Sequence, residues 1–483
     1  METISLLLGG QDQAASTMQT FDRTCPSGTE PVTRAAAASV EDARRAVDIA
    51  AGAFPAWSHS SNQQRRKILF LARDALIARA DLFVDAMATE TGATESWARF
   101  NVTLAGEILN EAAGLPSQIQ NLSIPSNRPG CTATAMRQAA GVVFAMAPWN
   151  APVILGVRAL AAPLACGNTV VMKSSELCPR THRLIVEAML EAGVPGGALN
   201  LISTAPEDAN KVIESVIAHP AIRRINFTGS TRVGRIIAEI AGRHLKPALL
   251  ELGGKAPLIV LDDADIDAAV AATQFGAYIN QGQICMSTER VIVQHPVAER
   301  FVSKLADRVR RMNQSESASR VDRTGGVVDQ EAAHRLAGLI SDALSKGATL
   351  EAGGKINGVH VQATLLSGVT PAMRIYAEES FGPVACVIRA GGDDEAIRIA
   401  NDTEYGLSAA VFSQNPDRAM ATARRIESGI CHINGPTVHD EAQMPFGGMK
   451  ASGYGRFGGT ASIHEFTELR WITVQEGALD YPD

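Results

Sequence analysis

From Gly141 onward the chain alternates short apolar runs with stretches of helical spacing. VVFAMAPWN (142–150) leads into a helix to about Cys166, NTVVMKSSE (168–176) into one to Ala192, and LNLIS (199–203) into one to about Ala218. RINFTGST (224–231) leads into a helix to Gly242, and ALLELGG (248–254) follows. Near-continuous apolar strands separated by helices predict a parallel sheet covered on both faces, a doubly wound α/β architecture of the nucleotide-binding kind. A second α/β pattern starts with APLIVLD at Ala256 and passes through a helix to Cys285, the strand ERVIVQH and later strand and helix segments.

Before Gly141 the pattern differs. After a polar start with the turn Pro26-Ser27-Gly28, residues 39–51 open on a capping serine, Ser39, and residues 62–90 continue at helical spacing, so this region is predicted to be mostly helical. Residues 121–139, punctuated by Pro and Gly, read as an extended β-hairpin outside the main cores, and EFTELRWITVQ (465–475) as a final strand that pairs with it. Its free edges predict an oligomer, a homodimer or homotetramer.

Composition narrows the class. The 483 residues exceed the roughly 250–300 of one core, so at least two large domains are expected. A net charge of -7 with 20% charged residues argues against nucleic acid or an anionic membrane as partner. METISLLLGG is too short for a signal sequence and lacks a basic start. No window holds the roughly 18 apolar residues of a membrane span. Seven cysteines (25, 131, 166, 178, 285, 386, 431) lack CxxC or Cys/His spacing, so neither a disulfide framework nor a metal site is expected, and a cytoplasmic location fits.

The chemistry centres on FGAYINQGQICMSTE (275–289), where small and polar residues flank Cys285 in a turn that presents a thiol. A free cysteine more often packs as a small hydrophobe; the neighbours predicted at the strand ends change that reading. Ligands bind beyond the carboxyl ends of strands in α/β sheets. Four such ends here carry Trp149-Asn150, Lys173 to Glu176, Gly229-Ser230 and Glu251 to Gly254.

Together with Cys285 this set resembles the aldehyde dehydrogenase superfamily over nearly the whole chain. The motifs are PWN (148–150), KSSE (173–176), FTGSTRVG (227–234), ELGGK (251–255), GQICMSTER (282–290), EESFGPV (378–384), NDTEYGLSA (401–409) and PFGGMKASGYGR (445–456). The resemblance implies an NAD-binding domain from 1–120 and 140–252, a catalytic domain from 253–462, and a bridging, oligomerising segment from 121–139 and 463–483. It implies that Cys285 attacks an aldehyde and that the Asn150 amide and the Cys285 N–H stabilise the oxyanion. Glu251 would activate the water that hydrolyses the resulting thioester. Alone, Asn150 would read as a helix cap before Pro152, and Glu251 as an ion-pair member.

For the cofactor, the helix opening at Gly229-Ser230 offers N–H groups to a pyrophosphate. By resemblance, Lys173 and Glu176 hold the adenosine ribose, Glu379 the nicotinamide ribose, and Phe381 and Trp149 lie near the ring. A carboxylate at Glu176 repels a 2′-phosphate, so NAD is expected over NADP. KSSE lacks the proline common in the family, which leaves the turn shape open.

If a helix starts near Pro152, Ala151, Leu155 and Arg158 share a face, which lines the aldehyde tunnel in the family. Arg158 would hydrogen-bond a substrate hydroxyl or else form a salt bridge. Trp97, Tyr278, Met286 and the stretch Cys431 to Gln443 are further wall candidates, while Ala151 and Gly156 leave room for a ring. The motifs resemble the branch of salicylaldehyde, vanillin and benzaldehyde dehydrogenases, which implies a hydroxylated aromatic aldehyde, salicylaldehyde first. Aliphatic or semialdehyde substrates are the alternative, and a cysteine hydrolase or thioesterase the rival from another class. None of the ten histidines lies in the strand-end motifs.

Overall fold

The computed structural model describes residues 1–314, 325–479 and 481. The first of two large sheets has eight strands. Its middle is Ala248–Glu251, Ile222–Thr228, Val142–Met146, Thr169–Lys173 and Leu199–Ile202, in that spatial order and all parallel. The last three are buried along their whole length. Helices on both faces exclude water from them, so their sequences are continuous apolar runs rather than alternating ones.

The edges were harder to foresee. Leu6–Leu8, fully buried, joins antiparallel beside Leu199–Ile202 and pairs with Gln11–Gln13. Together with the small sheet of Glu2–Ile4, Pro31–Ala36 and Thr20–Thr24, it corrects the expectation of a merely polar start. Strands this short show no period. At the opposite edge, Gly453–Tyr454 pairs antiparallel with Ala248–Glu251, Gly453 facing Glu251. The glycine-rich C-terminal loop thus reaches the first sheet.

The second sheet has seven strands, in the order Thr349–Ala352, Thr364–Ser367, Val384–Ala390, Thr288–Gln294, Ala256–Val260, Ser408–Phe412 and Ile430–Ile433, parallel except for the first pair. The N-terminal helices form as expected. Val40–Ser58 starts with a capping box between Ser39 and Asp42, and Asn62–Ala78, Ala80–Thr91 and Glu95–Gly114 follow.

Helix Pro152–Ala165 is buried at every residue. A Cβ at Gly156 would come within 2.5 Å of Ile185 and 3.4 Å of the His182 ring. This glycine therefore lets the helix pack against Pro179–Glu191 and makes no room for a substrate ring, a correction to the sequence reading.

A third sheet stands apart. Thr467–Gln475 pairs antiparallel with Cys131–Ala139 from Thr467↔Ala139 to Gln475↔Cys131, and Leu122–Pro125 closes the other side. Leu122, Ile124, Leu469, Trp471 and Val474 are exposed on it. Among the described residues, no helix is long and apolar enough to cross a membrane.

Candidate active site

Cys285 follows a bend of three consecutive left-handed residues, Asn280 (φ 47°), Gln281 (φ 53°) and Gly282 (φ 66°). Non-glycine residues hold this conformation only when their surroundings enforce it. Here Asn280 Nδ2 donates to Asn150 O at 3.0 Å, Gln283 Oε1 accepts from Val328 N–H at 2.9 Å, and Ser287 Oγ donates to Gly282 O at 3.0 Å. A Cβ at Gly282 would lie 2.2 Å from Gly382 O, so glycine is required. The loop is a built support for the thiol.

Asn150, Glu251 and Cys285 meet in one cleft of about 1350 Å³. Asn150 is buried, and its Nδ2 donates to Gln283 O at 3.0 Å. Its backbone carbonyl accepts from the Trp97 indole N–H at 2.9 Å. Trp97, expected as pocket wall, is not among the residues that line this cleft and instead holds the asparagine's backbone.

Glu251 ends its strand fully buried, with Oε1 lacking any partner. Burial pushes its carboxyl up to about 8, against a hydrogen bond from the Cys285 thiol and the nearby charge of Arg158. The same burial, with Glu251, Glu379 and Asp440 nearby, holds the Cys285 thiol well above its ordinary value. Both shifts favour the protonated forms, so the carboxylate form of Glu251 is the one able to take the thiol proton.

The cleft also gathers Trp149, Lys173, Glu176, Gly229, Ser230, Glu379 and Phe381. Lys173 Nζ bonds Glu176 Oε1 at 2.5 Å. Burial raises Glu176, but the Lys173 ammonium together with hydrogen bonds from its own N–H and Thr204 brings the carboxyl below its ordinary value. The turn left open by KSSE is closed locally: Ser175 Oγ accepts from Leu177 N–H at 3.2 Å, and Ser175 N–H donates to His182 Nδ1 at 3.1 Å. Burial drives His182 down to about 3, so the ring is a neutral acceptor. Ser230 caps helix Thr231–Arg243 through Val233 N–H. Phe381 meets Trp149 edge-on at 5.7 Å. Burial and the charge of Glu289 raise Glu379 to about 7, although Gly254 N–H donates to it.

On the other side of Cys285, Trp97, Leu155, Met286, Phe446 and Phe457 belong to one apolar cluster against which Cys285 and Val438 pack. Arg158 is buried there in a 2.7 Å ion pair with Asp440. Its guanidinium lies 4.5 Å from the Phe446 ring centre, a cation–π contact. Asp440 Oδ1 has no partner. Asp440, whose pairing the sequence did not signal, comes into place through Thr437, which donates to Met286 O at 2.6 Å. Tyr278 does not join this wall. It packs in a different cluster, under the second sheet, and donates to Thr364 O at 3.1 Å, which corrects its placement in the substrate pocket.

Among the described residues, no histidine is among the groups that act on the Cys285 thiol, as a cysteine hydrolase would need, and His182 lies 3.7 Å from the buried Cys178 instead.

The two α/β sheets bring a half-buried thiol, a buried acid and an amide donor into one cleft, the arrangement of an enzyme active site. The chain belongs to the aldehyde dehydrogenase family, whose sequence profile matches residues 13–472. It is 56% identical over 482 residues to a vanillin dehydrogenase of Pseudomonas fluorescens, covering 100% of both chains. It is 46% identical over 469 residues to a salicylaldehyde dehydrogenase of Pseudomonas putida, covering 97% of each. The crystal structure of a salicylaldehyde dehydrogenase from Pseudomonas putida G7, complexed with salicylaldehyde, superposes with a TM-score of 0.97 at 45% identity over 100% of both chains.

Proposed function

We propose that this enzyme oxidises a hydroxylated aromatic aldehyde to its carboxylic acid with NAD as acceptor. The buried Arg158–Asp440 pair carries the substrate reading. It is a charged pair set in an otherwise apolar, aromatic wall beside Cys285, and it leaves Asp440 Oδ1 unpartnered. A buried acceptor without a donor is costly unless something fills it, and a phenolic hydroxyl suits it. The vanillin and salicylaldehyde dehydrogenases among its relatives support the same class, with both substrates in view.

The cleft suits a dinucleotide. A Cβ at Gly229 would lie 2.5 Å from the Phe227 ring, so the turn ahead of the Ser230 cap stays narrow enough for a pyrophosphate to approach the helix N-terminus. Lys173 and Glu176 offer a donor and an acceptor to ribose hydroxyls, and the Glu176 carboxylate favours NAD.

In this reading Glu251 takes the Cys285 proton, and the thiolate adds to the aldehyde carbon. Asn150 Nδ2 and the Cys285 N–H stabilise the oxyanion. A dinucleotide held by Lys173, Glu176, Ser230 and Glu379 would supply the hydride acceptor for the oxidation to a thioester. Glu251, having passed the thiol proton to solvent, takes one from the water that attacks the thioester and returns it to the departing Cys285 sulfur as the acid is released. The exposed third sheet would pair subunits.

The test is steady-state NAD reduction with salicylaldehyde, vanillin, benzaldehyde, a short aliphatic aldehyde and succinic semialdehyde, repeated for Arg158→Leu and Asp440→Asn. The proposal expects preference for hydroxylated aromatics, weakened in both variants. Equal or better turnover of aliphatic aldehydes by the parent would overturn it.

A further inference from the structure

Glu289 lies four residues beyond Cys285 and takes no part in the chemistry above. It pairs with Lys255 at 2.5 Å, with side-chain exposures of 3% and 0%. A pair this deep loses more in desolvation than its attraction returns unless further hydrogen bonds complete it. One loop supplies them. Ser380 N–H lies 2.9 and 2.8 Å from the two carboxylate oxygens, Phe381 N–H donates to Oε1 at 3.0 Å, and Lys255 Nζ reaches Ser380 Oγ at 3.2 Å. Two successive N–H groups converging on one carboxylate form an anion nest.

The nest holds an unfavourable backbone. Phe381 has φ 42°, a left-handed conformation that a bulky residue adopts only when its surroundings over-determine it. That bend delivers the Phe381 ring to the cleft against Trp149. On the other side of Ser380, Glu379 Oε1 accepts from Gly254 N–H at 2.9 Å, next in sequence to Lys255. Glu289 and Lys255 therefore join three segments: the strand after the nucleophile, the turn after Glu251, and the loop carrying Glu379 and Phe381.

We infer that Glu289, neutralised by Lys255, is a positioning residue whose carboxylate holds Ser380 and Phe381 in the bend that presents Glu379 and Phe381 to the nicotinamide end of a bound dinucleotide. This rests on reading the cleft as the NAD site. Glu289→Gln keeps the size but sets an NH2 group against either the Lys255 ammonium or the loop N–H groups and removes the charge, so the three donors are left to share one neutral acceptor oxygen.

The experiment compares the parent enzyme, Glu289→Gln, Glu289→Asp and Lys255→Met. It measures NADH Kd by energy transfer from tryptophan, KM for NAD, and hydrolysis of p-nitrophenyl acetate without cofactor, which needs the Cys285 thiol but not this loop. Glu289→Gln is expected to raise NADH Kd and KM for NAD about tenfold to a hundredfold, the scale of a displaced positioning group, and to leave ester hydrolysis unchanged. Lys255→Met gives the same pattern, and Glu289→Asp, which keeps the charge, recovers part of the loss. Unchanged NADH affinity in Glu289→Gln overturns the inference. So does a parallel loss of ester hydrolysis, or failure of both Glu289→Gln and Lys255→Met to fold, since either assigns the pair to stability alone. A parent enzyme that does not bind NADH overturns the cofactor reading and this inference with it.

Discussion

In the proposed mechanism Glu251 must be ionised to activate water, and its burial sets the pH at which it can. With its carboxyl pushed up to about 8, about a tenth of the enzyme carries the base form at pH 7 and about nine tenths at pH 9. Where thioester hydrolysis limits turnover, kcat should therefore rise about tenfold across that interval and level off above it. A carboxyl at its ordinary value of 4.5 would give a flat profile over the same range. The assay is stopped-flow NADH formation at saturating aldehyde and NAD from pH 6.5 to 9.5, which separates the first-turnover burst from the steady rate. Glu251→Gln should keep a burst of full amplitude but slower rate, because the thiol loses its base, lose about 10²- to 10⁴-fold in the steady rate, and show no plateau, because its residual hydrolysis climbs with hydroxide. A flat parent profile, or the same inflection in Glu251→Gln, would refute the reasoning.

The oxyanion donors give two further expectations. Asn150→Ala removes a preorganised amide and should lower the burst rate about 10²- to 10³-fold, with NADH affinity unchanged. Trp97→Phe keeps a ring in the apolar cluster but deletes the indole N–H bond to Asn150 O, so the burst rate should fall about three- to tenfold; an unchanged rate would show that Asn280 holds Asn150 by itself.

Much of this was legible in the sequence because burial on both faces writes itself as a continuous apolar run. Val142–Met146 and Thr169–Lys173 could be read that way, and the reactive groups follow directly at their ends. What escaped depended on partners distant in sequence or on phase. Arg158 offered two readings, and its partner Asp440 lies 282 positions away. Tyr278 ends helix Ile266–Tyr278, and its helical phase turns the phenol under the second sheet although Cys285 follows only seven residues later. Gly156 looked like space for a substrate, but the missing methyl is occupied by Ile185. Glu289 is a lone acid in the sequence, and only the folded chain brings two backbone N–H groups and a lysine to it.

A covalent thioester at Cys285, resolved by Glu251, is the centre of the proposed mechanism. The most direct test is peptide mass mapping of Glu251→Gln quenched in acid seconds after mixing with NAD and vanillin or salicylaldehyde. The mechanism predicts an acyl adduct of the aldehyde's mass less one hydrogen atom, replacing the thiol hydrogen on the peptide that contains Cys285, in stoichiometric amount and absent from Cys285→Ala. Sustained aldehyde oxidation by Cys285→Ala, or an adduct on a different residue, would contradict it.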